Sequence, residues 1–212
     1  MLHISSARRA LGDHVLFNNL SLDLDAGRFG VVVGPNGVGK STLLRCIAGD
    51  GPLDAGTITV DGLRPDDADP AFRAAVAAEL GDDAVFTDLS VGEHLRLLTA
   101  AHRMSPPRTD DRIADVLADA GLGDLADRFP HTLSTGQRQR FALVAAFWRP
   151  AQLVIFDEPE RGLDAAGQDW VASCIARATD RGAAVLAATH SPMLAEAADV
   201  VVDLSLQAGD AR

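Results

Sequence analysis

The sequence has no apolar run long enough to cross a bilayer, which takes roughly 18 residues. Apolar runs such as 31–33 and 183–188 have only the length of a strand. The N-terminus lacks the basic start and apolar centre of a signal peptide. Only two cysteines occur, Cys46 and Cys174, and because they lack metal-ligand spacing we interpret them as buried reduced thiols. These absences predict a soluble protein of the cytosol.

Positive charge is scarce in this chain. Lys and Arg number 19 against 30 Asp and Glu, which gives a net charge of -11 and a pI near 4.8. We expect no nucleic-acid partner, because most of this surface would repel a polyphosphate. The hydrophobic content of 47% over 212 residues excludes a wholly disordered chain. The length indicates one domain, or one large domain with an inserted lobe.

Lysine is rarer still, since Lys40 is the one lysine among the 19 basic side chains. A lone lysine in an arginine background indicates a position that requires a compact ammonium on a flexible stem. Lys40 lies in a stretch that matches the phosphate-loop pattern G-x-x-x-x-G-K-[ST]. The candidate nucleotide-binding residues are those of this stretch: Gly34, Pro35, Asn36, Gly37, Val38, Gly39, Lys40, Ser41 and Thr42.

The flanks of this stretch favour a phosphate site over a glycine-rich turn that merely precedes a helix. A β-branched run, 31–33, comes before it, and 43–48 has helical character until Gly49 ends it. Glycines let backbone N–H groups turn toward phosphate oxygens, and the helix points its positive end at them. Lys40 would bridge the β- and γ-phosphates while the Ser41 hydroxyl ligates Mg²⁺.

Two further strand-like runs end in polar residues. The run 153–156 leads into Asp157 and Glu158, and the run 184–188 leads to Thr189 and His190. A buried parallel strand opens on a ligand site at its carboxyl end. Asp157 suits Mg²⁺ and Glu158 is placed to polarise a water. The alternatives are a solvated acidic turn and a structural histidine.

A second helix start follows at Ser134, Thr135, Gly136 and Gln137, ahead of the apolar run 141–148. Ser134 is a good N-cap, so this start is also suited to an anion. One nucleotide cannot easily use two distant helix starts in a small domain. The pattern therefore suggests that the second start serves a nucleotide held by another copy of the protein.

Taken in order along the chain, these motifs resemble an ATP-binding cassette (ABC) ATPase, the nucleotide-binding subunit of an ABC transporter. Five motifs occur in the order typical of the family. They are the phosphate loop, the family signature Ser134–Gln137, Walker B at 153–158, the D-loop 162–164 with Asp164, and the switch histidine His190. The resemblance covers nearly the whole chain.

The resemblance implies an α/β fold in which a P-loop NTPase core is joined by an antiparallel β subdomain and an inserted helical lobe. We expect a single ABC ATPase domain over 1–212, with a catalytic lobe at about 1–89 and 150–205 and a helical lobe at about 90–149. The alternation 20–25 and the run 57–60 suit the antiparallel sheet. Apolar spacing in 91–101 and 113–120 suits helices of the lobe.

The resemblance also implies a mechanism. Two subunits, as a homodimer or pseudo-dimer, sandwich two ATP molecules with Mg²⁺, and each phosphate loop faces Ser134 and Gly136 of the partner subunit. Glu158 acts as general base on water, His190 contacts the γ-phosphate, and Asp164 lies on the dimer seam. Ser41 and Asp157 belong to the metal site.

Three positions depart from the family pattern. Thr135 stands where glycine is commonest in the signature. Leu11 occupies the position of the usual adenine-stacking aromatic ring, and the chain has no tyrosine. The glutamine that normally touches Mg²⁺ is missing, and alignment puts Gly81 or Asp82 there, which makes Asp82 a candidate metal ligand.

We expect an ATP-binding and ATP-hydrolysing subunit that powers a separate transmembrane permease, an exporter given the brief accessory elements, from the inner face of the cell membrane. The alternative is a soluble ABC ATPase acting on ribosomes or DNA. Ribosome-directed members usually carry two cassettes and DNA-directed members a long coiled coil. This acidic chain has neither feature.

Overall fold

The computed structural model describes residues 1–81, 85–104 and 109–206. The strands are β1 (Leu2–Leu11), β2 (His14–Leu24), β3 (Phe29–Val33), β4 (Ala55–Val60), β5 (Val76–Glu79), β6 (Leu153–Asp157), β7 (Ala184–Ala188) and β8 (Val200–Asp203). The helices are α1 (Lys40–Ala48), α2 (Pro70–Ala75), α3 (Val91–Ala101), α4 (Thr109–Asp119), α5 (Thr135–Trp148), α6 (Ala165–Asp180) and α7 (Pro192–Ala197). Among the described residues no helix is both long and apolar enough to span a bilayer.

The N-terminal strands form a three-stranded antiparallel sheet in the order β2-β1-β4. Leu20, Leu22 and Leu24 of β2 are buried while Ser21 and Asp23 between them are exposed. This alternation arises because successive side chains of a strand point to opposite faces. The antiparallel subdomain that the sequence predicts is therefore present.

The second sheet is parallel and has the order β5-β6-β7-β3-β8. Its central strand β7 is buried along its whole length, and the first four residues of β3 and of β6 are buried as well. Continuous burial is expected where helices cover both faces of a parallel sheet. Because β7 lies between β6 and β3, the carboxyl ends of these three strands meet at one edge.

Helix α1 follows β3 and packs against this sheet with Leu43, Leu44 and Ile47, all fully buried. It ends at Gly49, whose φ of 87° is left-handed and whose N–H donates back to Arg45 and Cys46. Such an end is typical of glycine just beyond a helix. The predicted strand–loop–helix context of the phosphate loop is confirmed.

The chain divides into two compact units. The first unit is Met1–Leu80, Ala151–Pro159 and the chain from Ile175 onward, and the second unit is Gly81–Pro150 and Glu160–Cys174. The second unit has its own core, formed in part by Val91, Leu95, Leu117, Phe141 and Val144. Segment 160–174, which the sequence assigns to the catalytic lobe, belongs to this second unit. The single domain with lobe bounds at 90 and 149 stays a prediction.

Candidate nucleotide-binding site

Three strand ends of the first unit meet at the carboxyl edge of the parallel sheet. Strand β3 runs into the phosphate loop, β6 ends at Asp157, and β7 is followed by Thr189 and His190. Backbone bonds fix these ends to one another: the Glu158 N–H donates to Ala188 O at 2.8 Å, and the Thr189 N–H donates to Val32 O at 3.2 Å. The polar residues that the sequence places at strand ends, 157–158 and 189–190, thus lie together at the edge predicted to bind a ligand.

The phosphate loop depends on glycine backbone conformations. Gly34, Gly37 and Gly39 have φ values of 138°, 80° and 111°, a region that side-chain-bearing residues rarely adopt. The Val38 N–H closes the loop onto Pro35 O at 3.3 Å. Among the described residues no side chain caps the N-terminus of α1. The N–H groups of its first turn are therefore suited to an anion.

Lys40 is nearly buried, with 7% of its surface exposed. Its ammonium donates to Gly34 O at 2.8 Å and to Pro35 O at 3.3 Å, and lies 3.0 Å from Nε2 of His190. The lysine is thus held against the loop that the sequence assigns to phosphate. A bulkier guanidinium in this enclosed position would need the loop to move.

Glu158 and His190 lie next to each other at this edge. The Glu158 carboxylate oxygen Oε1 is 3.6 Å from His190 Nε2, and the side chains are 29% and 45% exposed. Glu158 has a left-handed backbone with a φ of 53°, and its N–H is tied to β7. Such strain persists only where the surrounding structure imposes it, as it does at many functional sites. Lys40, His190 and Glu158 therefore form one continuous chain of side chains.

Ser41 and Asp157 are the oxygen-bearing residues that the sequence assigns to Mg²⁺. Ser41 lies exposed in the first turn of α1, and Asp157 is the half-buried last residue of β6, opposite Ala188. A hydroxyl and a carboxylate are the hard oxygen ligands that Mg²⁺ takes, with phosphates and water completing its shell. The donor set fits the ion. Asp82, the third candidate, lies outside the described residues.

A cleft of about 360 Å³ opens between the phosphate loop and the segment after β7. Gly34, Pro35, His190, Ser191 and Pro192 are among the residues that line it. It adjoins the ammonium of Lys40, since Lys40 bonds to three of these lining residues.

Ser134 begins α5 in the second unit and serves as its N-cap, as the sequence predicts. Gln137 N–H donates to Ser134 Oγ at 3.3 Å, and Ser134 N–H donates to Gln137 Oε1 at 2.9 Å. This reciprocal pair is a capping box. Ser134 and Thr135 are exposed, and a Cβ on Gly136 would lie 3.2 Å from Gly162 O. Gln137 therefore has a structural role in the helix start.

Asp164 lies in the second unit and caps α6. Its Oδ1 accepts from Gly167 N–H at 2.9 Å and from the Arg140 guanidinium at 3.0 Å. The Gly167 bond and then Arg140 hold the pKa of Asp164 below its ordinary value. The sequence names Asp164 but not Arg140. In the sequence, the capping role of Asp164 is signalled only by its spacing from Gly167, which is typical of an N-cap and its third helical residue.

The departures from the family pattern have plain structural settings. Leu11 is 54% exposed at the end of β1, opposite the exposed His14 of β2. Gly81 has a φ of 76°, and a Cβ there would lie 3.7 Å from Arg161 Nη2.

The fold and the loop together define a phosphate-loop nucleoside triphosphatase. A sequence model described as ABC transporter matches residues 17–161, and the chain belongs to that family. It is an ABC ATPase domain, and domains of this kind bind ATP with Mg²⁺ as the usual partner ion. The family and fold that the sequence predicts are confirmed.

Named relatives include importers and an exporter. The chain is 34% identical over 199 residues to the phosphonates import ATP-binding protein of Natronomonas pharaonis, covering 92% of this chain and 85% of the relative. It is 30% identical over 192 residues to the SkfA peptide export ATP-binding protein of Bacillus subtilis, covering 90% and 79%. It is 34% identical over 165 residues to the spermidine/putrescine import ATP-binding protein of Chromobacterium violaceum, covering 78% of this chain and 45% of that relative. The chain thus spans less than half of the last protein.

Solved structures share the fold. A solved ATP-binding subunit of an ABC transporter has a TM-score of 0.87 and 25% identity, covering 96% of this chain and 85% of the other. A dimeric ATP-binding cassette in a post-hydrolysis state, bound to ADP and Pi, has a TM-score of 0.83 and 22% identity, covering 96% and 94%.

Proposed function

We propose that this chain is the ATP-hydrolysing subunit of a membrane transporter and that Lys40, Glu158 and His190 are its working side chains. The observation that carries the proposal is their contact at one sheet edge: Lys40 Nζ lies 3.0 Å from His190 Nε2, which lies 3.6 Å from the Glu158 carboxylate. A cation, an imidazole and a carboxylate beside a phosphate loop are the groups that phosphoryl transfer to water requires.

The phosphate loop 34–42 holds the triphosphate. Backbone N–H groups of the loop and of the first turn of α1 bind phosphate oxygens, and Lys40 supplies the compensating positive charge. Ser41 and Asp157, with Asp82 as a further predicted ligand, hold Mg²⁺. The bound ion would neutralise charge on the β- and γ-phosphate oxygens.

Glu158 acts as the general base of hydrolysis. Its carboxylate takes a proton from a water whose oxygen attacks the γ-phosphorus, while the bond to the β,γ-bridging oxygen breaks and ADP leaves. His190, two residues beyond the end of β7, contacts the γ-phosphate and keeps the water and phosphate in line. The tie of Glu158 N–H to Ala188 O supports a fixed carboxylate position.

The complete site takes a second copy of this chain or a homologous subunit. Ser134 and Gly136 of the partner subunit would close over the γ-phosphate, and Asp164 would lie at the seam. Ser134 is exposed at the start of the 14-residue helix α5, which presents a positive helix end. The dimeric form of a solved cassette of the same fold supports this arrangement.

We further propose that a separate permease in the cell membrane holds this subunit on its inner face. The named relatives are ATP-binding proteins of import and export systems, which supports transport in general. Export is the direction that the brief accessory elements favour and stays a prediction. No nucleic-acid partner is proposed, given the net charge of -11.

Phosphate release from Mg-ATP tests the chemistry. Glu158→Gln should lower the rate at least about 100-fold, because an amide cannot take the proton. The matched control Glu196→Gln changes an exposed acid on α7 in the same way and should keep the wild-type rate. A Glu158→Gln protein with wild-type activity would remove the proposed base.

Affinity capture from detergent-solubilised membranes tests the transport role. The proposal expects a stoichiometric integral membrane partner and no enrichment of ribosomes or DNA. Stable capture of ribosomes or DNA without a membrane partner would favour the alternative, an ABC ATPase acting on those assemblies.

A further inference from the structure

The ammonium of Lys40 has no donor to spare. A lysine ammonium carries three N–H donors and accepts nothing. Among the described residues, three acceptors lie around Nζ: Gly34 O at 2.8 Å, His190 Nε2 at 3.0 Å and Pro35 O at 3.3 Å. A phosphate oxygen that bonds to Lys40 must therefore displace at least one of them.

His190 can accept from Lys40 in one protonation form only. Nε2 must carry a lone pair, so the ring is neutral with its proton on Nδ1. A proton on Nε2 would point one donor at another. Glu158 Oε1 is 3.6 Å from Nε2, longer than a hydrogen bond, whereas Lys40 Nζ is within hydrogen-bond distance. The geometry therefore assigns the Nε2 lone pair to Lys40.

The backbone on both sides of His190 is fixed. Thr189 is 1% exposed, and its N–H donates to Val32 O in β3 at 3.2 Å. Ser191 N–H donates to Thr189 Oγ1 at 2.9 Å. The imidazole is thus carried by a rigid segment that is bonded to the strand leading into the phosphate loop. Lys40, with its long stem, is the partner free to move when a phosphate arrives.

We propose that His190 is a positioning residue for Lys40: it holds the ammonium in the nucleotide-free protein, and a nucleotide phosphate binds by taking the ammonium from it. This role is separate from the γ-phosphate contact proposed above and rests on the proposed phosphate loop. Of the three acceptors, His190 is the one that a side-chain substitution removes, since the other two are backbone carbonyls.

ADP binding measured by calorimetry separates the two roles, because ADP has no γ-phosphate. His190→Ala should bind ADP roughly 2- to 10-fold more tightly than wild type, since one competing hydrogen bond is gone. The matched control is His3→Ala, because His3 also lies in the first unit and its side chain is 52% exposed against 45% for His190. It should leave the affinity unchanged.

Equal or weaker ADP affinity in His190→Ala would overturn the inference and leave the proposed nucleotide site intact. A wild-type protein that binds no ADP would instead overturn the proposed nucleotide site. The two failures are therefore distinguishable.

The tautomer of His190, that is, which ring nitrogen carries the proton, gives a second measurement. A purely structural role of His190 would not change it. In ¹⁵N-histidine-labelled nucleotide-free protein at pH 8, long-range proton–nitrogen correlation should show an unprotonated Nε2, assigned by its loss in His190→Ala. Lys40→Met removes the donor and should shift the ring toward the form protonated on Nε2. A protonated Nε2 in the nucleotide-free wild type, or no change in Lys40→Met, would contradict the hydrogen bond.

Discussion

Gly39 is a position in the phosphate loop where a single added methyl group should be strongly destabilising. Its φ of 111° lies in the region that residues with side chains rarely adopt. A Cβ at this position would lie 3.0 Å from the Cβ of Leu16. Since that atom belongs to β2 and is not a flexible side-chain end, the strand or the loop must shift.

The structure sets the size of the effect. Forcing an L-residue into the left-handed region costs about 1–2 kcal/mol, and overpacking a well-packed contact costs about 1–3 kcal/mol more. Gly39→Ala should therefore destabilise the protein by about 2–5 kcal/mol, the sum of these two costs. Gly37 has a φ of 80° but no heavy atom within 4 Å of a built Cβ, so Gly37→Ala should cost only the backbone strain.

Urea unfolding of the nucleotide-free proteins measures this difference. Far-UV circular dichroism is the suitable probe because both tryptophans, Trp148 and Trp170, belong to the second unit. Gly39→Ala should lower the midpoint by roughly 1–2 M and Gly37→Ala by roughly 0.5 M. Equal shifts in the two variants, or a smaller shift in Gly39→Ala, would refute the packing of β2 against the loop.

Three further results are expected. Lys40→Ala should abolish tight ATP binding, and Lys40→Arg should not restore it, because Lys40 is only 7% exposed and its site has little room for a guanidinium. Wild-type ATP affinity of the arginine variant in calorimetry would disprove this. The Ala10 N–H and then Arg9 lower the pKa of Asp54, so the stability that its carboxylate contributes is complete above the ordinary carboxyl pKa of about 3.9 and is lost as the pH falls through the lower folded-state pKa. Between pH 5 and pH 3 the urea midpoint should therefore fall less in Asp54→Asn than in wild type, and parallel curves for the two proteins would count against this role of Asp54. Trp148 Nε1 donates to the buried Thr99 hydroxyl at 2.9 Å, so Trp148→Phe should lower the free energy of unfolding, followed by Trp170 fluorescence, by about 1 kcal/mol. A Trp148→Phe variant as stable as wild type would show that this hydrogen bond does not stabilise the fold.

Local patterns predict the phosphate loop and the polar strand ends. A loop such as 34–42 is written in nine consecutive residues, and the carboxyl ends of parallel strands share an edge whatever the strand order. The start of α5 at Ser134 is equally local, since a capping box spans four residues. The predicted helix 91–101 also coincides with α3, because its capping residue Ser90 and its apolar spacing lie side by side in the chain.

Contacts between distant segments are not predictable in this way. Lys40 and His190 are 150 residues apart, and their hydrogen bond depends on β7 lying beside β3, a strand order that no local pattern encodes. Arg140 reaches Asp164 across 24 residues for the same kind of reason. The boundary between Cys174 and Ile175 is also invisible locally, because it falls inside the continuous helix α6.

The most direct test of the account is the oligomeric state of Glu158→Gln with ATP. This variant should bind ATP but hydrolyse it very slowly, so that two nucleotides stay between two subunits. Because binding to the dimer alone shifts the equilibrium by mass action, it should elute at about 44 kDa, twice the chain mass of 22.2 kDa, with ATP and as a monomer without it. Adding Ser134→Arg should abolish that dimer by placing bulk where the γ-phosphate approaches. A Glu158→Gln protein that stays monomeric at saturating ATP and high protein concentration, or a double variant that still dimerises, would contradict a nucleotide site shared between two subunits.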